Sequence, residues 1–354
     1  MGFKALCFGL FCVSFLSYIY TPIPDNIEET WKVMALDAAA KTCTLVALCL
    51  ENMGVMRYEE FISMIISLDY TQPFSDEHVT VTDTDFVDIP VRLYLPKRKS
   101  EAPRRAVIYF HGGGFCFGSF KQRAFDFLNR CTASKLDAVV VGMDLCLTGH
   151  HIFQVQIDPE VKHKLKLQAL LYPGLQVIDT SLPSHQDNEH GIVLTRDIAI
   201  KLVSLFFTKD EALPQAMRKN QHMPLESRHL FRFVNWSVLL PDKYRKDHMY
   251  TEPELGRSAY SLPALMDHRA LPLLADDARL QHLPRTYILT CQYDVLRDDG
   301  IMYVTRLQNV GVQVFHDHVE DGIHGALSYM TSPLYLQQGL RIKDMYISWL
   351  DKNL

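Results

Sequence analysis

The chain has 354 residues, 48% of them apolar and 22% charged, with a formal net charge of −5. That composition supplies a large buried core and excludes a disordered chain. The scattered Lys and Arg give no electrostatic reason to bind nucleic acid, and the cluster Lys97-Arg98-Lys99 reads as a solvated loop.

Lys4 is followed by sixteen uncharged residues, Ala5 to Tyr20. The run is short of the ~20 residues of a spanning helix, but Tyr18, Tyr20, Pro22 and Pro24 close it as an interfacial end. Residues 1–22 are therefore expected to form an uncleaved signal anchor. A cleaved signal peptide is the rival, because the run is near the length of such an apolar region. Either sends the remainder into the secretory lumen: endoplasmic reticulum membrane, single pass and lumen-facing, or secreted after cleavage. Asn26 and Glu29 stand at capping-box spacing and predict a helix running toward residue 51, with a second at 57–68. Residues 23–75 are expected to be an N-terminal helical cap segment.

Strand signals follow at 78–83, 86–95 and 105–110. Helical periodicity at 120–134 leads to a buried-type strand at 138–141. An apolar run at 165–171 ends in Tyr172-Pro173-Gly174. Helices are expected at 195–208 and 210–219, and a Pro-punctuated stretch at 220–282 has no clear elements. A strand at 286–290, a helix at 299–309, a strand at 312–318 and a final helix at 337–352 complete the chain. This alternation predicts an α/β fold over 76–354, a mostly parallel sheet covered by helices on both faces.

The motif His111-Gly112-Gly113-Gly114-Phe115 directly follows the apolar run at 106–110. Bare glycine N–H groups at the end of a strand can point at a developing oxyanion, as lipases and esterases arrange them. Asp294 after one strand and His324 after the next give the order Asp…His of a hydrolase triad. Asp294 would orient His324, and His324 would deprotonate a serine and later protonate the leaving group. Yet no G-x-S-x-G occurs in the sequence. Gly256-Arg257-Ser258-Ala259-Tyr260 lacks the second glycine, Ser119 reads as a cap for the helix near 120, and Cys146 has no supporting turn. His150, His151 and His163 show no metal spacing, and no metal is expected. Cys43 and Cys49 read as packing residues. Asn235-Trp236-Ser237 is a glycosylation sequon that matters only in the lumen.

These residues, with Leu170–Gln176, Asn220-Gln221-His222, Phe233–Ser237 and Arg297-Asp298-Asp299-Gly300, resemble the arylacetamide deacetylase family. The family sits in the hormone-sensitive-lipase branch of the α/β-hydrolases, and the resemblance covers most of the chain. It implies a cofactor-free, lumen-facing carboxylic ester or amide hydrolase acting on small acyl-ester, aryl-amide or lipid-like substrates. It also implies active residues at Asp294 and His324, an oxyanion hole at Gly112, Gly113 and Gly114, and a disulfide between Cys116 and Cys291, the pair an oxidising lumen would bridge.

The departure lies between Asp144 and Lys164. There the family supplies a helix, the central strand, a G-D-S-x-G-G nucleophile turn and another helix; here a short junction near Phe153-Gln154-Val155 looks like an internal deletion, from a skipped exon or a misjoined gene model. Removing a central strand leaves a gap or forces its neighbours into a new pairing. The expectation is a hydrolase by family with little or no turnover. The alternatives are a non-catalytic lumenal ligand- or partner-binding protein, or an unstable product.

Overall fold

Three helices lead into the sheet in the computed structural model of the chain, which describes residues 2–100, 103–144, 164–257 and 262–354. The helix α1 (Gly2–Ile19) exposes Leu6, Phe8, Leu10, Val13 and Leu16, and Lys4 is the one charged residue in its sequence. An apolar N-terminal helix of this kind is consistent with membrane association.

Among the described residues, α2 (Thr30–Asn52) is the one helix that passes for a membrane span by length and composition. Its Asp37, however, is buried and tied to the body of the protein. Oδ1 accepts the Val193 N–H at 2.8 Å, and Oδ2 accepts Thr21 Oγ1 at 2.6 Å and pairs with Lys41 Nζ at 2.9 Å. A buried carboxylate with this many partners marks a face docked on protein. The helix starts at Thr30, and the capping box expected over Asn26 and Glu29 does not form. Glu29 adopts a left-handed φ of 56°, and Asn26 is engaged elsewhere: it donates to Glu320 O at 2.9 Å and accepts from the Tyr293 hydroxyl at 2.6 Å. The helix α3 (Tyr58–Ser67) completes the N-terminal layer.

The strands form two sheets. In the first, β1 (Val79–Phe86) and β2 (Ile89–Pro96) make an antiparallel hairpin. Beyond it, β4 (Val139–Met143) lies antiparallel to β2 and parallel to β3 (Ala106–Phe110), giving the order β1-β2-β4-β3. The second sheet is wholly parallel, β5 (Leu167–Leu171), β6 (Arg285–Tyr293) and β7 (Val314–Ile323) in that order. With helices around these mostly parallel sheets the architecture is that of an α/β-hydrolase.

The break falls between β3 and β5. Among the described residues β3 pairs only with β4, and β5 only with β6. Both strands nonetheless lean on one apolar cluster: Val107 and Tyr109 from β3 and Leu167, Ala169 and Leu171 from β5 pack against it. That cluster also takes Ala124 and Leu128 of α4 (Arg123–Leu136) and Ile342, Tyr346 and Leu350 of the C-terminal helix. Helices on one face therefore hold together two sheets that share no backbone ladder. Of the two outcomes foreseen for a missing strand, a new pairing of its neighbours does not occur: among the described residues β3 and β5 share no ladder. On β3, Ile108 is 49% exposed in a strand of wholly apolar sequence. Leaving about half of an isoleucine side chain in water forgoes roughly 1 kcal/mol of burial.

The stretch from 220 to 282 lacks strands and folds into short helical turns, including Leu225–Phe233, Trp236–Leu239 and Pro272–Leu274. Phe231, Trp236, Leu271 and Leu273 enter one buried cluster with Ile301, Met302 and Leu307 of α7, as we label the helix Arg297–Asn309 that follows α5 (Arg196–Phe207) and α6 (Ala212–Arg218).

Candidate active site

Two loops at the ends of strands carry the candidate residues. After β3, the glycine loop is wound around Gly113, whose carbonyl accepts the Cys116 and Phe117 N–H groups at 3.1 and 3.2 Å. Gly113 has φ of 147°, and a Cβ there would lie 1.8 Å from Phe117 O. Gly114, at φ 57°, would bring a Cβ within 2.7 Å of Leu202 Cδ1. Only glycine fits at Gly113, where the clash is with backbone; at Gly114 a side chain would have to displace Leu202 and adopt a left-handed φ. Among the described residues, the N–H groups of Gly112, Gly113 and Gly114 make no hydrogen bond to protein.

The loop is braced from behind. His111 is buried and its Nδ1–H donates to Gly112 O at 2.8 Å. Asp144, at the end of β4, accepts the Ser119 hydroxyl at 3.0 Å and the Phe120 N–H at 2.8 Å, and lies 3.6 Å from His111 Nε2. Ser119 is thus a buried turn residue bonded to Asp144 rather than the cap of α4, which starts at Arg123.

After β6 and β7, Asp294 and His324 come together. His324 Nδ1–H donates to Asp294 Oδ2 at 2.9 Å, which leaves Nε2 as the basic nitrogen. The carboxylate is fully buried and held by its own loop, with Leu296 N–H on Oδ1 at 2.8 Å. Asn188 Nδ2 donates to the Asp294 carbonyl at 3.3 Å. Among the described residues, no hydroxyl or thiol bonds to His324. The arrangement is an imidazole oriented by a buried carboxylate, with Nε2 left to face a partner.

The bridge expected between Cys116 and Cys291 is absent; both are free thiols. They sit in different apolar clusters. Cys116 packs with Ala47, Tyr58 and Leu202, its Sγ donating to Leu202 O at 3.2 Å, while Cys291 is buried beneath β7 against Gly322. Burial pushes the Cys116 thiol up to about 12, so it is no ready nucleophile near neutrality. Asn235 is half-buried and caps the turn Trp236–Leu239, its Oδ1 accepting Ser237 N–H at 3.1 Å and Ser237 Oγ at 2.6 Å. Cys146, His150, His151, Phe153 to Val155, His163 and Ser258 lie outside the described residues.

Two features were marked in the sequence only as parts of the resemblance, without their structural roles. Tyr172, just past β5, has φ of 41° and sets its ring edge-on to His324 at 5.1 Å; a left-handed tyrosine is rare and leaves no compositional trace. The buried Arg297-Asp298-Asp299 run braces the loop after β5: Asp299 accepts Leu175 N–H at 2.8 Å and Gln176 Nε2 at 3.0 Å, and Asp298 accepts Ser184 N–H at 2.6 Å. A polar cleft of about 440 Å³ lies beside the site, between Asp187, Lys243, His248 and Arg297. Gln292 and Tyr293 line it, but neither His324 nor the glycine loop does, so it does not mark the chemistry.

A human protein, arylacetamide deacetylase-like 2, is 68% identical to this chain over 401 aligned positions, covering 100% of both. The chain belongs to the arylacetamide deacetylase family. Mouse arylacetamide deacetylase is 46% identical over 386 positions, covering 95% of this chain and 96% of that one. The alpha/beta hydrolase fold family matches residues 222–328, a stretch that contains both Asp294 and His324. Among solved structures, an esterase of the archaeon Pyrobaculum calidifontis shares the fold at a TM-score of 0.55 and 18% identity, covering 94% of this chain and 99% of that one. The human arylacetamide deacetylase relative also measures the departure. Its alignment of 401 positions against 354 residues here leaves about 47 positions with no residue in this chain.

Proposed function

We propose that this chain is a catalytically silent member of an ester- and amide-hydrolase family. It would keep the oxyanion loop at Gly112, Gly113 and Gly114 and the Asp294–His324 base, and lack the serine they serve. The observation that carries this reading is the absence of G-x-S-x-G from the sequence. It is supported by the open edges of β3 and β5, between which an elbow strand of this fold would run, and by the lack of any hydroxyl on His324 among the described residues. A base without a nucleophile leaves only the small acceleration that binding and oxyanion donors supply. In this reading residues 1–22 are the anchor, 23–75 the cap and 76–354 the hydrolase body, facing the lumen, with Asn235 open to glycosylation there.

The test is steady-state hydrolysis of an aryl acetate by the purified full chain and by His324→Ala. Equal, background-level rates are expected. A faster rate in the unaltered chain that His324→Ala abolishes would show a working nucleophile and defeat the proposal.

A further inference from the structure

We infer that a groove between α1 and α2 holds one acyl chain of a bilayer lipid. The groove is about 550 Å³, with Val13, Leu16, Ile19 and Tyr20 on one wall and Met34 and Ala38 on the other. Its surface is almost wholly apolar. In water an open apolar trough of this kind is unfavourable.

The position of the groove says what fills it. One wall is α1, whose earlier turns carry the exposed Leu6, Phe8 and Leu10. Whatever medium covers those side chains is continuous with the mouth of the groove, and for a helix apolar all round that medium is lipid. The inference rests on that reading of α1. Exposed aromatic residues stand at the ends of both helices: Tyr20, just past α1, and Trp31, in the first turn of α2, are 63% and 65% exposed, and Tyr335 has Lys32 Nζ 4.3 Å from its ring centre. Amphipathic rings with a nearby cation are the residues that settle at the headgroup level of a bilayer. An acyl chain descending past this rim would enter the groove with its headgroup at the level of the Lys32–Glu29 pair.

The groove is also built to keep its shape. Thr21, two residues beyond α1, is locked to Asp37 of α2, which Lys41 and the Val193 N–H also hold. This buried polar knot fixes the angle at which α1 leaves α2, so the two walls stay apart rather than collapsing together.

The test uses the full chain in phosphatidylcholine nanodiscs doped with a phospholipid carrying a photoreactive diazirine midway along one acyl chain. After irradiation, adducts are mapped by peptide mass spectrometry. Adducts are expected on α1 and on the peptide holding Met34 and Ala38. The latter are expected to be lost in Ala38→Trp and in Val13→Trp, each of which fills the groove from one wall; thermal unfolding checks that each variant is folded. Adducts on α1 alone would overturn the groove while leaving the membrane helix standing. No adduct on α1, with failure to co-float with vesicles, would remove the membrane reading and the inference with it. A diazirine fatty acid that labels Met34 and Ala38 where the phospholipid does not would replace the bilayer lipid by a free acid and overturn the source. Labelling that persists in both variants would also overturn it.

Discussion

His324 owes its orientation to a single bond, the 2.9 Å contact of Nδ1 with Asp294 Oδ2, and the edge of Tyr172 fixes the ring from the side. The glycine loop owes its shape to Gly113, where a Cβ would sit 1.8 Å from a backbone oxygen that cannot swing away. Gly113→Ala is therefore expected to destabilise the fold by about 1–3 kcal/mol, read as a lower urea midpoint; an unchanged midpoint would mean the loop is not held as described. Titration makes a second prediction. Burial pulls His185 down to about 3 and His222 and His318 to about 4, and lowers His316 and His268. Burial likewise pushes Asp299 up to about 7 and Asp179 to about 6, and raises Asp298. Below pH 6.5 the unfolded chain protonates histidines that the folded chain keeps neutral, so they cost stability as pH falls toward 4. Between pH 4 and 7 the aspartates act oppositely, because the folded chain holds protons that the unfolded chain releases. The five histidines outnumber the three aspartates, so stability is expected to rise from pH 4.5 to 6.5. Urea midpoints at those two values check the sign, and a fall would contradict it. The sequence already carried His111 to Gly114, Asp294 and His324, because such groups follow strands in a readable order. Tyr172 and the free thiols were hidden, since backbone handedness and long-range packing leave no local signature.

The elements show the same division. Helices α5, α6 and the C-terminal Gln337–Asn353 lie where apolar periodicity puts them, because each buries one stripe against a large core. The turns between 225 and 280 were illegible, as their apolar residues enter the core from irregular backbone with neither a 3.6- nor a 2-residue period. Strands β3 and β5 stand out in the sequence as apolar runs, yet among the described residues each is paired on one side only, which makes them weak points of the sheets. In hydrogen exchange followed by mass spectrometry, peptides from β3 and β5 are expected to exchange well before those of β6, which is paired on both sides. Equal protection would mean that the edges are covered. Substitutions separate the strands in energy: Ile108→Thr, at a half-exposed site, is expected to cost under about 1 kcal/mol. Ile288→Thr, at a fully buried site on β6, is expected to cost about 2–4 kcal/mol. Comparable losses in the two variants would place Ile108 in a closed core.

On the scale of the whole molecule, two half-sheets are held in register by helices on one face, with an apolar N-terminal helix at one end. The fold survives in outline because the clusters around α4, α7 and the C-terminal helix do not depend on a continuous ladder. In the proposed reading the chemistry has no such redundancy, because an oxyanion loop and an oriented base do little without a nucleophile. The decisive measurement is fluorophosphonate labelling of the folded, purified chain, with any adduct located by peptide mass spectrometry. The account expects no labelled residue. A single labelled serine, lost when His324 is replaced by alanine, would contradict it and identify the nucleophile that the Asp294–His324 pair serves.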